Sequence, residues 1–401
     1  MKSEIQNPKS EILVVGAGPA GASLAIRLAE KDFEVTLIER DNFPRQKLCG
    51  EFISPECLEH FRELNVLDEM FSVGGDRIAE TVFYAPNGKN VSVSSEWFNA
   101  EAQNALSISR AEMDFRLLER AKKVGVKILE ETQVVGLLSE NGKICGVKAK
   151  NKRAETFEIA ADLTIDATGR ANVLGKSAEK AEGQRSKVKG RRSKLVGFKT
   201  HLKNVRLEKG RCEIYFFRGG YGGLSFVENN LANHCFLIKA DVVKEFNGQT
   251  DKLVEEVIFQ NKRAFETMRD AEAVFDWLAV SVESFGRKNL NPAPNLLSVG
   301  DAAAFIDPFT GSGMLMALQS AKILAEIIAE NRFSTNRIAE IYETAHRRNF
   351  QNRLRICALM RRAAFMPNLA KLIISTLGFS EKSREILARA TRRSFLFDKN
   401  K

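Results

Sequence analysis

The segment Ile12–Gly21, ILVVGAGPAG, is answered eighteen residues later by Glu39 at the end of EVTLIE. The apolar run predicts a strand, the glycines a tight turn, ASLAIRLA a helix, and VTLIE a second strand ending in a carboxylate. This unit holds a dinucleotide. Gly16 lets the chain leave the strand sharply, Gly18 removes a side chain where a pyrophosphate approaches the backbone, and Gly21 lets helix and sheet pack closely. The phosphates face a helix N-terminus, whose free N–H groups and positive dipole end favour an anion. Glu39 can accept hydrogen bonds from ribose hydroxyls and would repel a 2′-phosphate, so the adenosine of FAD or NAD fits better than that of NADP.

Two further motifs follow. LTIDATGR reads as a buried strand ending at Asp166, then a small-residue turn through Gly169 where backbone can approach a cofactor. NLLSVGDAAAFIDPFTGSGM reads as a strand delivering Gly300 and Asp301, a loop through Pro308 and Gly311, and a helix starting near Gly313. Asp301 can bind a polyol chain, while the loop amides and helix N-terminus can face the electron-rich end of a flavin.

Between these motifs lie a Pro- and Gly-punctuated loop over 41–55, a helix near 56–64, alternating strands over 76–104 and an amphipathic helix capped by Ser109. Strands follow near 126–149 with a hairpin turn at Asn141–Gly142. The basic stretch 176–194 is expected to be a loop, and 195–285 an antiparallel sheet of four to seven strands with a helix near 250–268. The chain has 401 residues, 44% of them hydrophobic and 28% charged, enough for a large core in two subdomains. The expected fold is α/β, with a discontinuous Rossmann-like dinucleotide-binding domain over 1–75, 105–194 and 286–335. An antiparallel substrate-binding sheet over 76–104 and 195–285 and a basic helical region over 336–401 complete it.

The net charge of +10 is concentrated at the end, where residues 347–401 hold fourteen Lys or Arg and three acids. Residues 347–366 mix bases and apolar residues at helical spacing. They read first as a terminal helix packed on the body, and alternatively as a helix lying on an anionic membrane. The basic stretch lacks a nucleic-acid-binding module, so nucleic acid is not an expected partner. No apolar run approaches the ~20 residues of a membrane span. The first ten residues lack the apolar core of a secretory signal. Six cysteines without CxxC and four scattered histidines suit a reducing compartment and no metal site. The expected location is the cytoplasm, with peripheral contact at the inner face of a membrane as the alternative.

In combination the three motifs resemble, over roughly residues 10–335, the FAD-binding superfamily of flavin monooxygenases, geranylgeranyl reductases and flavin-dependent halogenases. The resemblance implies FAD held by Gly16, Gly18, Pro19, Ala20, Gly21, Glu39, Arg40, Arg45, Cys49, Gly50, Arg110, Val134, Asp166, Gly169, Gly300, Asp301, Pro308, Gly311, Gly313 and Met314. Asp301 would bind ribityl and pyrophosphate oxygens, and residues 311–314 would line the flavin ring. The segment KLCGEFISP around Cys49 and the segment PFTGSGM are similar to the geranylgeranyl-reductase branch, to which the motifs come closest. Ala304 and Met314 stand where hydroxylases commonly carry His and Asn, and FIDP from Phe305 is similar to the halogenases. The chain departs from both specialised branches. The stretch Tyr221–Val227 has Gly223 and Val227 where the reductases carry Trp and Pro, and Trp97 and Trp277 are its only tryptophans, against the paired tryptophans of the halogenases.

The expected function is an FAD-dependent oxidoreductase driven by NAD(P)H or another donor. Hydroxylation of a hydrophobic small molecule is the first reading and hydrogenation of a lipid double bond the alternative, with halogenation or a non-catalytic flavin- or membrane-binding role behind them. Cys49 and Tyr221 are the candidate catalytic side chains, Cys49 as a contact to the ring or substrate and Tyr221 as a group orienting a polar substrate end. Each could also be an ordinary packing residue.

Overall fold

A computed structural model describes residues 9–98, 103–181, 194–282, 285–332 and 334–391. The strand Lys9–Val15 lies between Val35–Ile38 and Thr156–Asp166, parallel to both. Lys127–Leu129 extends the sheet beyond Val35–Ile38, and Leu296–Ser298 pairs in parallel with the end of Thr156–Asp166. The register places Val15 beside Ile38 and Asp166, and Asp166 beside Ser298. Four parallel strands therefore end at one level, the edge where open α/β sheets bind ligands. A hairpin of Gln133–Glu140 and Lys143–Lys150 packs onto the first half of Thr156–Asp166. Its turn has Asn141 at φ 50° and Gly142 at φ 76°, the left-handed pair that a two-residue hairpin requires.

The helix Pro19–Ala29 is nearly apolar all round because it is covered on two sides. Leu24, Ile26 and Leu28 are fully buried between the sheet and the helices Gly313–Glu330 and Arg110–Lys123. Burial of each contributes ~1.5–3 kcal/mol.

The second sheet differs from expectation in sense. Among the described residues it has eight strands, six of them from 195–285 as expected and two from residues 80–94, and Glu80–Tyr84 runs parallel to Arg211–Phe217, whereas its other pairings are antiparallel. That pair joins segments more than a hundred residues apart, so its sense is set by the intervening domain and not by a hairpin. Asp76–Ile78, by contrast, joins a small sheet with Phe52–Ile53 and Ala105–Ser107. Residues 173–181, partly expected as loop, form a helix, and the rest of that basic stretch, 182–193, lies outside the described residues. The long helix Thr335–Ala364 packs on Gly313–Glu330 through Ile338, Tyr342 and Phe350, with Arg337, Arg347, Arg348, Arg355 and Arg362 exposed and Arg353 buried, where it donates to Gln319 Oε1 at 3.0 Å; Pro367–Leu377 and Glu381–Ala390 follow. The basic residues beyond 391 lie outside the described residues.

Candidate functional site

One cavity of about 860 Å³ runs from the strand ends, along the seam between the two sheets, to the C-terminal helices. Its first part is lined by Gly16, Gly18, Pro19, Ala20, Glu39, Arg40, Arg45 and Val134, and its middle by Cys49, Gly50, Arg110, Gly169 and Asp301. Pro308, Gly311, Gly313, Met314 and Tyr221 border the part beyond.

The glycines of the first motif divide into two kinds. A Cβ on Gly16 would lie 2.4 Å from the Ala167 carbonyl oxygen, and one on Gly21 would lie 1.9 Å from that of Gly16, so both positions are closed by the protein itself. A Cβ on Gly18 would meet only Arg110 Nη2, at 3.9 Å. Nothing among the described residues excludes a side chain there. The space belongs to a ligand approaching the backbone, as a pyrophosphate does.

Two helices point uncapped N-termini at this space. Pro19–Ala29 and Gly313–Glu330 have no side-chain cap and no acid in the first turn, whereas Arg110–Lys123 is capped by the Ser109 hydroxyl. Free N–H groups at the first two remain for an anion or an electron-rich ring edge.

Glu39 accepts from the Ala17 N–H at 2.9 Å and the Asp41 N–H at 3.1 Å, which fixes the carboxylate against the glycine turn. Arg45 reaches Glu39 at 3.3 Å and Asp114 at 2.6 Å, and lies over the Phe43 ring. Asp114 is fully buried and also grips Arg110 by two bonds of 2.9 and 2.7 Å. Burial works against both charges, but the pairing prevails, lowering the pKa of Asp114 and raising that of Arg110. A fixed guanidinium thus stands over the glycine turn.

Asp301 opens onto the cavity from a poorly hydrated wall, and burial raises its pKa to about 6 against the pull of Lys288, Arg110 and Arg170. Lys288 Nζ donates to the carbonyls of Arg170 at 2.9 Å and Asp301 at 3.0 Å, tying the second motif to the third. The arrangement fits FAD. It offers a carboxylate for ribose hydroxyls, an open glycine and a cation for the pyrophosphate, a second carboxylate for the ribityl chain and a helix N-terminus for the ring.

Three expected contacts do not line the cavity. Asp166 is fully buried, and its carboxylate is occupied by the Thr168 N–H and hydroxyl at 2.9 and 2.6 Å and by the Leu174 and Gly175 N–H groups at 3.0 Å each. It shapes the turn and caps the helix Val173–Ala181, which corrects its assignment to the cofactor. Gly300, at φ 61°, acts by close packing, since a Cβ there would lie 2.6 Å from Ala20 Cβ. Gly21 likewise acts through packing.

The loop carrying Cys49 is anchored by residues that the motifs do not disclose. Glu51 is fully buried, and it accepts from Lys199 Nζ at 2.5 Å and the Arg110 N–H at 2.7 Å and pairs with His201 Nε2 at 2.7 Å. Burial would raise its pKa, yet the His201 and Lys199 partners bring it below the ordinary value. The Cys49 carbonyl accepts from Asn233 at 3.2 Å and its sulfur from the Glu51 N–H at 3.4 Å, and Cys49 lines the cavity together with Cys235, whose thiol burial holds protonated.

Beyond the loop the walls turn apolar, with Phe83, Val91, Phe216, Phe285 and Phe309. Gly223 lines this part, and Ile214 Cδ1 lies 2.9 Å from where its Cβ would be, so Ile214 occupies the space a side chain at this position would take. Tyr221 is buried here, and its hydroxyl donates to Asp307 Oδ1 at 2.5 Å. Asp307 also accepts from the Phe309 N–H at 2.9 Å, capping the turn that leads to Gly313. Burial raises the pKa of both Tyr221 and Asp307.

The family model described as FAD binding domain matches residues 9–351. The chain belongs to this FAD-binding family. It is an FAD-dependent oxidoreductase. Among relatives of this FAD-binding protein, a digeranylgeranylglycerophospholipid reductase of Methanosarcina acetivorans is 28% identical over 83% of this chain and 79% of its own length. A geranylgeranyl bacteriochlorophyll reductase-like protein of Thermoplasma acidophilum shares the fold at a TM-score of 0.75 and 19% identity, covering 96% of each chain. The flavin-dependent brominase Bmp2 shares it at a TM-score of 0.77 and 17% identity, over 96% of this chain and 94% of its own.

Proposed function

We propose that this oxidoreductase hydrogenates a carbon–carbon double bond in a long apolar, lipid-like substrate. The observation that carries the reading is the Tyr221–Asp307 pair, with Arg361 3.9 Å from Asp307, set in a mostly apolar chamber next to the loop leading to Gly313. FAD, once bound and reduced by an electron donor, would supply a hydride equivalent. Saturating a double bond then requires one proton from an acid in a dry place. Tyr221 Oη carries that proton, kept there by its raised pKa, and Asp307, which accepts from it, orients the phenol. The phenylalanines around it accommodate an apolar chain and exclude water. The curated relative named as a lipid reductase supports the same reading.

Glu39, Arg110 and Asp301 hold the dinucleotide, while Cys49 borders ring and substrate. NADH or NADPH is proposed as a transient electron donor, since the sequence carries one complete dinucleotide fingerprint, and that one serves FAD. Hydroxylation is the second reading, because a water-excluding enclosure serves oxygen transfer as well.

The test is anaerobic. FAD-loaded protein, chemically reduced, is mixed under argon with a polyprenyl lipid and the product weighed by mass spectrometry. Gain of two hydrogens per reduced bond is expected. Product formed only in air and containing added oxygen would overturn the reading in favour of hydroxylation.

A further inference from the structure

The outer surface of the last helices is unlike the rest of the molecule. Leu359, Leu372, Phe379 and Ile386 are 64, 60, 91 and 62% exposed, more than any other large apolar side chain on the described surface, and Met366 is 47% exposed. Arg355, Arg362, Lys371, Lys382 and Arg389 are exposed among them. Over residues 355–391 the sequence carries seven Lys or Arg against Glu381 and Glu385.

The inner side of the same helices walls the cavity, through Ala364, Ala370, Ile374, Leu377 and Leu387. Leu359 belongs to both sides, being largely exposed and lining the cavity, so the chamber opens at this surface. Apolar side chains standing among cations suit the boundary between anionic headgroups and acyl chains. They do not suit a second copy of the chain, because two such faces would bring like charges together.

We propose that residues 355–391 dock the protein peripherally on an anionic lipid bilayer, with the mouth of the chamber facing the acyl chains. A substrate dissolved in the membrane then enters without crossing water. No helix among the described residues is long and apolar enough to span a membrane, so the contact is on the surface. The lipid-borne substrate rests on the reading above, whereas the docking does not.

The experiment is co-sedimentation of the full-length, FAD-loaded protein with vesicles of phosphatidylcholine alone or mixed with phosphatidylglycerol. Salt-sensitive binding to the mixed vesicles is expected. The Leu372→Glu/Phe379→Glu/Ile386→Glu protein, altered only at positions outside the cavity lining, should bind at least about tenfold more weakly at unchanged FAD content. Phe379→Glu alone, at the most exposed of these positions, gives a smaller loss in the same direction and serves if the triple variant does not fold. Wild-type protein remaining in the supernatant with both vesicles, or glutamate variants that bind as well as wild type, would overturn the proposal. So would a wild-type dimer that these substitutions convert to monomer, which would make the face a self-association surface. Because no turnover is read, failure of the double-bond reading leaves this result unaffected.

Discussion

Lys199 Nζ sits 2.5 Å from Glu51 Oε1, linking a strand of the large sheet to the loop that carries Cys49 along the cavity. Lys199 also donates to Gln46 Oε1 at 2.9 Å and the Lys47 carbonyl at 3.2 Å, so a single buried ammonium fixes three points of that loop. Removing one partner of such a pair leaves an uncompensated buried charge. Glu51→Gln should therefore destabilise the protein by ~3–5 kcal/mol in urea denaturation at neutral pH, and Glu51→Gln/Lys199→Met by clearly less than the sum of the singles. Glu51 titrates below its ordinary value of about 4.5, so its contribution is present above that pH and is lost as the pH falls through the folded value. Additive effects would mean that the two residues are not coupled.

Asp301 has the opposite sign. Its pKa is raised from 3.8 to about 6 by burial, so the FAD-free protein is penalised as the pH rises from about 4, and fully so above about 6. Asp301→Asn should stabilise FAD-free protein at neutral pH by ~1–3 kcal/mol while weakening FAD binding at least about tenfold. The stability difference between variant and wild type, followed from pH 4 to 7, should grow with pH. A flat difference would remove Asp301 from the desolvated wall.

Tyr221→Phe keeps the ring among Phe309 and Phe365 and deletes the proton donor. Substrate reduction by pre-reduced protein should slow by about 10²-fold, the scale of general acid catalysis. FAD affinity should stay within about threefold, because the hydroxyl belongs to the substrate end. An unchanged rate would make Tyr221 a packing residue.

The cofactor half of the fold was legible because its signals are local. Gly16, Gly18 and Glu39 lie within one βαβ unit, where turn chemistry and strand length fix the geometry. Asp166 misled for the same reason, since a strand-end Asp before small residues serves equally to cap the next helix. Asp114 stands four residues after Arg110, a spacing that reads as a surface ion pair, and only the tertiary fold buries it under Arg45. Lys199 and His201 are about 150 residues from Glu51, so no spacing pairs them. The parallel pairing of Glu80–Tyr84 likewise depends on chain topology and not on any local pattern.

The two kinds of glycine in the first motif predict opposite failures. Gly21→Val places atoms into the Gly16 carbonyl and should yield insoluble or grossly destabilised protein. Circular dichroism and solubility are the checks, and a folded, soluble Gly21→Val protein would contradict the packing described.

The placement of FAD along the cavity is tested most directly by titrating FAD into FAD-free wild-type and Gly18→Val protein, following flavin fluorescence. Gly18 has open space where a side chain would stand, so the variant should fold with wild-type circular dichroism and bind FAD at least about 10²-fold more weakly. A folded Gly18→Val protein that binds FAD as tightly as wild type would show that the pyrophosphate does not lie over this turn.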